Sequence, residues 1–104
     1  MELREDGDTF DGWQAWFSFE LLRTIRDELD RAGVPNSHLR GVTESVGFAV
    51  STLLDASSPF VVDGEVITPV LTFAAGDSEV LLHQGGPSSL HDYTFGNAAE
   101  LFRS

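Results

Sequence analysis

The chain has 104 residues, of which 41% are hydrophobic and 11% aromatic, enough to form the core of one folded domain. It contains no cysteine, so disulfide bonds and thiolate metal sites are excluded. Seventeen acidic residues face six arginines, and the resulting net charge of −11 disfavours direct binding to nucleic acids or anionic membranes. Such a charge either serves solubility or attracts a basic partner.

The N-terminal residues MELRED lack the basic and apolar segments of a signal peptide. No apolar run approaches the roughly 20 residues needed to cross a bilayer. We therefore expect a cytoplasmic protein that contacts no membrane. Residues 1–12 hold five acids, one base and two glycines, which predicts an acidic, mobile arm within the single domain of residues 1–104.

Apolar side chains recur every four residues over 13–32, which predicts an amphipathic helix. The positions expected to be buried are Trp13, Phe17, Leu21, Ile25 and Leu29, with Leu22 beside them. Asp11 and Gln14 fit a capping box at the start of this helix, and Gly33 ends it. An apolar alternation over 13–19 leaves a strand open as the alternative for that part.

A second helix is predicted from a cap at Asn36 or Ser37 to about Ala56. The residues expected on its buried side are Val42, Val46, Val50, Leu53 and Leu54. Gly47 inside this helix costs about 1 kcal/mol relative to Ala. Either it allows another element to approach closely, or the helix begins only at Thr43.

The strongest local signal is Asp63-Gly64 between two runs rich in strand-forming residues, 60–62 and 65–67. It predicts a tight β-hairpin, because both central residues of a type I′ turn need a positive φ. Pro69 cannot donate to a sheet, so the second strand kinks or lies at an edge there before continuing over 70–73. A turn at 75–78 leads to a third strand over 79–83, which completes a three-stranded antiparallel meander.

After a loop over 84–89, Ser88 or Ser89 is expected to cap a helix that begins at Leu90. Gly96 is expected to interrupt this helix, and Asn97 with Glu100 fits a capping box for its last turn. The predicted fold class is α+β, a two-layer sandwich of two N-terminal helices, a three-stranded antiparallel meander and a C-terminal helix.

Three residues with chemical potential lie around the loop over 84–89, and we call His83, His91 and Asp92 the histidine cluster. Two imidazoles and a carboxylate could bind Zn²⁺ or Fe²⁺. One histidine could instead act as a general base oriented by Asp92. The simpler alternative is that Asp92 only favours a helix N-terminus through its charge. Phosphate-loop and dinucleotide motifs are missing from the sequence, and no cofactor is expected.

The aromatic residues near the start of the first helix are too many for one helical face, so Trp16 or Phe19 is expected at the surface. The interface candidates are Trp13, Trp16, Phe19, Asp27 and Asp30. A homodimer is expected, either through these aromatics or through a strand edge near Pro69.

Two functional hypotheses follow from these observations. The leading one is a non-enzymatic acidic protein-binding module, such as an inhibitor or immunity-type protein for a basic partner. The alternative is a small enzyme or a metal- or ligand-binding protein that uses the histidine cluster.

Overall fold

Three α-helices and four short strands form the fold in the computed structural model, which describes residues 1–58 and 60–103. In chain order the elements are β1 (Glu2–Glu5), α1 (Gly7–Arg31), α2 (Asn36–Leu54), β2 (Val61–Val62), β3 (Glu65–Val66), β4 (Val80–His83), a 3₁₀ helix (Leu90–Tyr93) and α3 (Thr94–Leu101). The mixture of helix and strand confirms the α+β class. Within the described part of the chain, no helix combines the length and apolar character needed to span a membrane.

Helix α1 begins at Gly7, six residues earlier than predicted, because Asp6 rather than Asp11 caps it. The Asp6 carboxylate accepts a hydrogen bond from the backbone N–H of Thr9 at 3.2 Å. The strand alternative for residues 13–19 is wrong, since the helix is continuous there. Gly33 ends the helix as predicted, with a φ of 95° that glycine adopts without strain.

The segment predicted as a mobile arm carries β1 and the first residues of α1 instead. β1 pairs in parallel with β4, in the register Glu2↔Val80 to Glu5↔His83. The charged sequence of β1 gives no apolar alternation, so only its pairing with a distant strand identifies it.

The buried residues of α1 lie one position after most of the predicted ones. They are Phe10, Gln14, Ser18 and Leu22. Trp13, Leu21, Ile25 and Leu29 lie half-buried on the flanks, and Phe17 is exposed. The reason is that α1 contacts α2 on one side and α3 on the other, so its deepest line lies where both helices meet it.

Helix α2 starts directly after Pro35, without a side-chain cap, so the predicted caps and the alternative start at Thr43 are wrong. Its buried residues are Leu39, Thr43, Gly47 and Ser51, not the predicted valine and leucine stripe. Small side chains along this line let α2 approach α1 closely. A Cβ atom built on Gly47 would overlap the Leu22 side chain, which confirms the predicted close approach.

The Asp63-Gly64 hairpin is confirmed, with Val61 opposite Val66 and Val62 opposite Glu65. Asp63 and Gly64 have φ values of 50° and 81°, as a type I′ turn requires. The three-stranded antiparallel meander is wrong, because β4 pairs in parallel with β1 and not with β3. Of the strand predicted over 70–73, only Phe73 forms an antiparallel bridge, to Leu82.

The C-terminal part forms a 3₁₀ helix that continues directly into α3. Gly96 does not interrupt α3, because the helix runs through it. The predicted capping box at Asn97 is wrong, since the Asn97 side chain donates a hydrogen bond to the Ala15 carbonyl in α1 at 2.9 Å. Ser89 precedes the 3₁₀ helix but makes no side-chain cap.

The apolar core lies between the three helices and the 3₁₀ helix. Its buried hydrophobic residues among those described are Phe10, Leu22, Leu39, Leu90 and Ala98. Phe73 adds an aromatic cluster at the start of α1, with its ring centroid 5.1 Å from that of Phe10 and 5.7 Å from that of Phe17. The connection before β4 is thereby attached to α1.

Candidate functional site

The structure separates the predicted histidine cluster into two parts. His83 ends β4, and its Nδ1 accepts a hydrogen bond from the backbone N–H of Gly85 at 3.1 Å. Among residues 1–58 and 60–103, no hydrogen bond or ion pair joins His83 to His91 or Asp92. The His83 side chain therefore stabilises the turn that directly follows β4 and is separate from His91 and Asp92.

His91 and Asp92 are together, and the residue that organises them is Asp55, which the sequence did not single out. His91 Nδ1 lies 2.6 Å from Asp55 Oδ2, and His91 Nε2 lies 3.2 Å from Asp92 Oδ1. The fully buried Asp55 side chain also accepts hydrogen bonds from the Ser88 hydroxyl and, at 2.7 Å, from the backbone N–H of His91. Asp55 thus links the end of α2 to the 3₁₀ helix.

The position of Asp55 directly after α2 is a sequence feature that could have identified it as a hydrogen-bonded residue. An acidic residue directly after a helix opposes the helix dipole, so it needs compensating donors. Asp55 finds three of them in Ser88 and His91. Burial of its carboxylate is acceptable only because these donors replace water.

The contacts of His91 suit a structural role better than catalysis. Both ring nitrogens already face carboxylate oxygens, and the Ser88 hydroxyl donates to Asp55 rather than to the imidazole. The order of groups that activates a serine nucleophile is therefore not formed by these residues. In the described part of the chain, no three His, Asp or Glu side chains are arranged to hold a metal ion.

A polar network aligns α3 with α1. The hydroxyl of Tyr93, directly before α3, donates to Asp11, and four residues further along each segment Asn97 in α3 donates to the Ala15 carbonyl in α1. The Asp11 contact raises the pKa of Tyr93 to about 12, and the same hydrogen bond is the main reason that the pKa of Asp11 lies below its ordinary value. Because both contacts advance together, α3 runs parallel to α1.

The buried side chain of Gln14 also stabilises the alignment of α1 and α3. It is fully buried, and its Nε2 donates to Asp11 at 2.9 Å and to Gln84 at 3.2 Å. Its Oε1 accepts a hydrogen bond from the backbone N–H of Ser89 at 3.0 Å. The loop after β4 is therefore fixed to α1 by one amide side chain.

The alignment of α1 and α3 creates a surface groove, which we call the α1/α3 groove. It has a volume of about 330 Å³ and is lined by Ala15, Trp16, Phe19, Asn97 and Glu100. The rings of Trp16 and Phe19 meet edge to face with their centroids 6.4 Å apart, and Trp16 is 71% exposed. Two of the predicted interface residues thus form one aromatic pair, in which Trp16 is exposed and Phe19 is half-buried.

The other interface candidates divide between two places. Trp13 packs against Phe73 at a centroid distance of 6.2 Å and does not line the groove. Asp27 and Asp30 are exposed, and the 100° helical increment places both on the same side of α1 as Trp16. The sequence could not identify Asn97 and Glu100, because only the docking of α3 brings them to the aromatic pair.

Comparisons with known protein families, curated proteins and solved structures find no match for this chain. Function is therefore inferred from the α1/α3 groove and from the charge around it.

Proposed function

We propose that this protein is a non-enzymatic acidic module that binds a basic partner protein, as an inhibitor or immunity-type protein does. The observation that carries the proposal is the exposed Trp16, paired with the half-buried Phe19 at the α1/α3 groove, on a chain with a net charge of −11. An exposed indole at the edge of a concave surface is typical of interface anchor residues.

The charge of the chain is available to a partner because the arginines are already matched. Each of the six lies within ion-pair distance of an acidic side chain, including Arg23 beside Glu20 and Arg26 beside Asp27. Eleven of the seventeen acids remain without an arginine, and Asp30 is one of them on the groove side of α1. A basic partner therefore meets no free guanidinium on this face.

The chemistry of the groove favours an arginine or lysine side chain as its occupant. A cation over an indole face gains about 0.5–1 kcal/mol at an exposed site and about 2 kcal/mol when water is excluded. Glu100 lines the same groove and pairs with Arg103, both on the exposed surface. A guanidinium from the partner can replace Arg103 at that carboxylate, because the existing pair is exposed and weak.

The contacts of both His91 ring nitrogens also support a binding role over a catalytic one. The ring is held by Asp55 and Asp92 and packs edge to face on Phe48 at 5.9 Å. A general base needs a ring nitrogen that can reach a substrate proton. Both nitrogens of His91 are already directed at carboxylates.

The test is capture of a basic protein on the immobilised chain at low and high salt, followed by binding kinetics with the purified partner. We expect fast association that slows with added salt, because surface charges are screened beyond about 10 Å at 0.1 M. Trp16→Ala should weaken binding at least tenfold, as truncation of an interface anchor does.

The matched control is Phe95→Ala, since Phe95 is also an exposed aromatic residue but packs on Phe48, away from the groove. It should leave the affinity unchanged. An affinity that ignores salt, or equal effects of the two substitutions, would overturn the proposal and leave the charge as a solubility feature.

A further inference from the structure

The β2–β3 hairpin carries a continuous group of exposed apolar residues. Phe60, Val61, Val62, Val66 and Ile67 are all exposed, so neither face of the hairpin is covered. Among the described residues, β2 and β3 contact each other and no other helix or strand. A two-stranded hairpin alone is marginally stable in water, so this one requires a further strand or surface.

We infer that the hairpin is a dimerisation element, in which the β2 strands of two copies pair antiparallel with Val61 of each copy at the twofold axis. This interaction is separate from the α1/α3 groove and does not depend on the function proposed for it.

The hydrogen-bond pattern leaves open groups at the required position. In an antiparallel ladder, inward- and outward-pointing residues alternate. The Ile67 N–H donates to the Phe60 carbonyl at 2.7 Å, so this pair points inward. Val61 and Val66, one residue along, therefore direct their backbone N–H and C=O groups to the two outer edges. With Val61 at the axis, the two copies exchange both of its hydrogen bonds.

The side chains favour the β2 edge over the β3 edge. Antiparallel pairing about Val61 places Phe60 of each copy opposite Val62 of the other, so every cross-strand pair is apolar. Pairing through β3 would bring Glu65 of both copies into the interface. Charged residues along a strand edge oppose such pairing.

The antiparallel direction also limits repulsion between two chains of charge −11. Asp63, at the tip of the hairpin, lies two residues from Val61. The two tips then point in opposite directions and lie roughly 14 Å apart, beyond the screening length of about 10 Å at 0.1 M salt. Parallel pairing would place the two carboxylates side by side.

The exposed area of one chain agrees with a second copy as the occupant. A folded monomer of 11.3 kDa is expected to expose about 5,700 Å², whereas this chain exposes 6565 Å². The excess of roughly 870 Å² is close to the share of about 800 Å² that each partner contributes to a standard interface. The radius of gyration of 15.4 Å likewise exceeds the value of about 13 Å expected for this length. The uncharged β2 edge complements itself, as a twofold contact requires.

Light scattering across a concentration series tests the inference, and we expect the mass to rise to twice 11.3 kDa. Val61→Pro removes the outward N–H of β2, whereas Val66→Pro removes the equivalent group from β3. We expect Val61→Pro to weaken the dimer by about tenfold or more, because two symmetric hydrogen bonds are lost, and Val66→Pro to have little effect. Circular dichroism of both variants should retain the helical signal, since the hairpin contacts no helix.

Cysteine cross-linking gives a second, direct measurement because the natural chain has no cysteine. Under oxidising conditions Val61→Cys should form a covalent dimer, since residues paired at the axis have Cα atoms about 5.5 Å apart, within disulfide range. Val66→Cys should cross-link much more slowly. A monomer mass at all concentrations, a dimer that only Val66→Pro weakens, or equal cross-linking of both variants would overturn the inference.

Discussion

The close contact of α1 and α2 at Gly47 makes a quantitative prediction about one added methyl group. A Cβ at this position would overlap Cδ2 of Leu22, which is fully buried and cannot move into solvent. The same substitution at Gly41, in the same helix, meets no atom within 4 Å. The two glycines therefore form a matched pair that differs in packing alone.

The expected magnitude has two parts. Replacing glycine by alanine inside a helix stabilises by about 1 kcal/mol. Overpacking a filled core by one methyl group costs about 1–3 kcal/mol. Gly41→Ala should therefore stabilise the fold by up to about 1 kcal/mol, and Gly47→Ala should range from neutral to about 2 kcal/mol destabilising. The difference between the two variants is the overpacking cost itself.

Urea unfolding followed by circular dichroism measures this difference, with both variants at the same protein concentration. A gap of 1 kcal/mol separates the midpoints by about 0.3–1 M urea. In a Leu22→Ala background the overlap disappears, and Gly47→Ala should then stabilise as Gly41→Ala does. If Gly47→Ala stabilises the unaltered chain as much as Gly41→Ala, the helices do not approach as described.

Three further predictions concern the turn, the tyrosine and the buried carboxylate. Gly64→Val should destabilise the hairpin by more than about 1 kcal/mol, because a β-branched residue fits poorly at a φ of 81°. Hydrogen exchange of the Ile67 amide should then be faster, and an unchanged exchange rate would contradict the prediction. Tyr93, the single tyrosine, should ionise near its pKa of about 12 in an ultraviolet titration and closer to 10.0 in Asp11→Asn. Because the pKa of Tyr93 is raised in the folded state, the stability contributed by its hydrogen bond to Asp11 is complete below pH about 10 and is lost as the pH rises towards 12. A titration midpoint near 10.0 in both proteins would refute the contact. Asp55→Asn should destabilise the fold by about 1.5–3 kcal/mol in urea unfolding, because an amide cannot accept all three hydrogen bonds, and an unchanged midpoint would exclude its linking role.

Turns that depend on the backbone freedom of a glycine were predicted correctly from the sequence, whereas most of the predicted helix caps were not. Asp63 and Gly64 adopt positive φ values because of their own chemistry, so the hairpin and its register followed directly. The end of α1 at Gly33 has the same local origin. The sequence also indicated that Trp16 or Phe19 would be exposed, from the number of aromatic residues alone.

Apart from the close approach at Gly47, positions governed by distant partners were predicted wrongly or missed. β1 is a charged segment that becomes a strand by pairing with residues 80–83, and no local pattern encodes that pairing. The burial of Gln14 is another example, since its hydrogen bonds reach Gln84 and Ser89. The predicted valine stripe of α2 failed because close helix packing selects small residues such as Gly47.

The candidate sites divide in the same way. Charge, composition and turn chemistry determined an acidic chain, an exposed aromatic residue at Trp16 or Phe19 and the Asp63-Gly64 turn, because these depend on residues close together in sequence. Only the tertiary structure shows that the hairpin stands apart from β4. The docking of α3 on α1 formed the α1/α3 groove by bringing Asn97 and Glu100 close to the Trp16–Phe19 pair. The packing of the end of α2 against the 3₁₀ helix likewise placed Asp55 beside His91. Those contacts join residues at least 36 positions apart, so their formation depends on how the helices pack and is visible only in the tertiary structure.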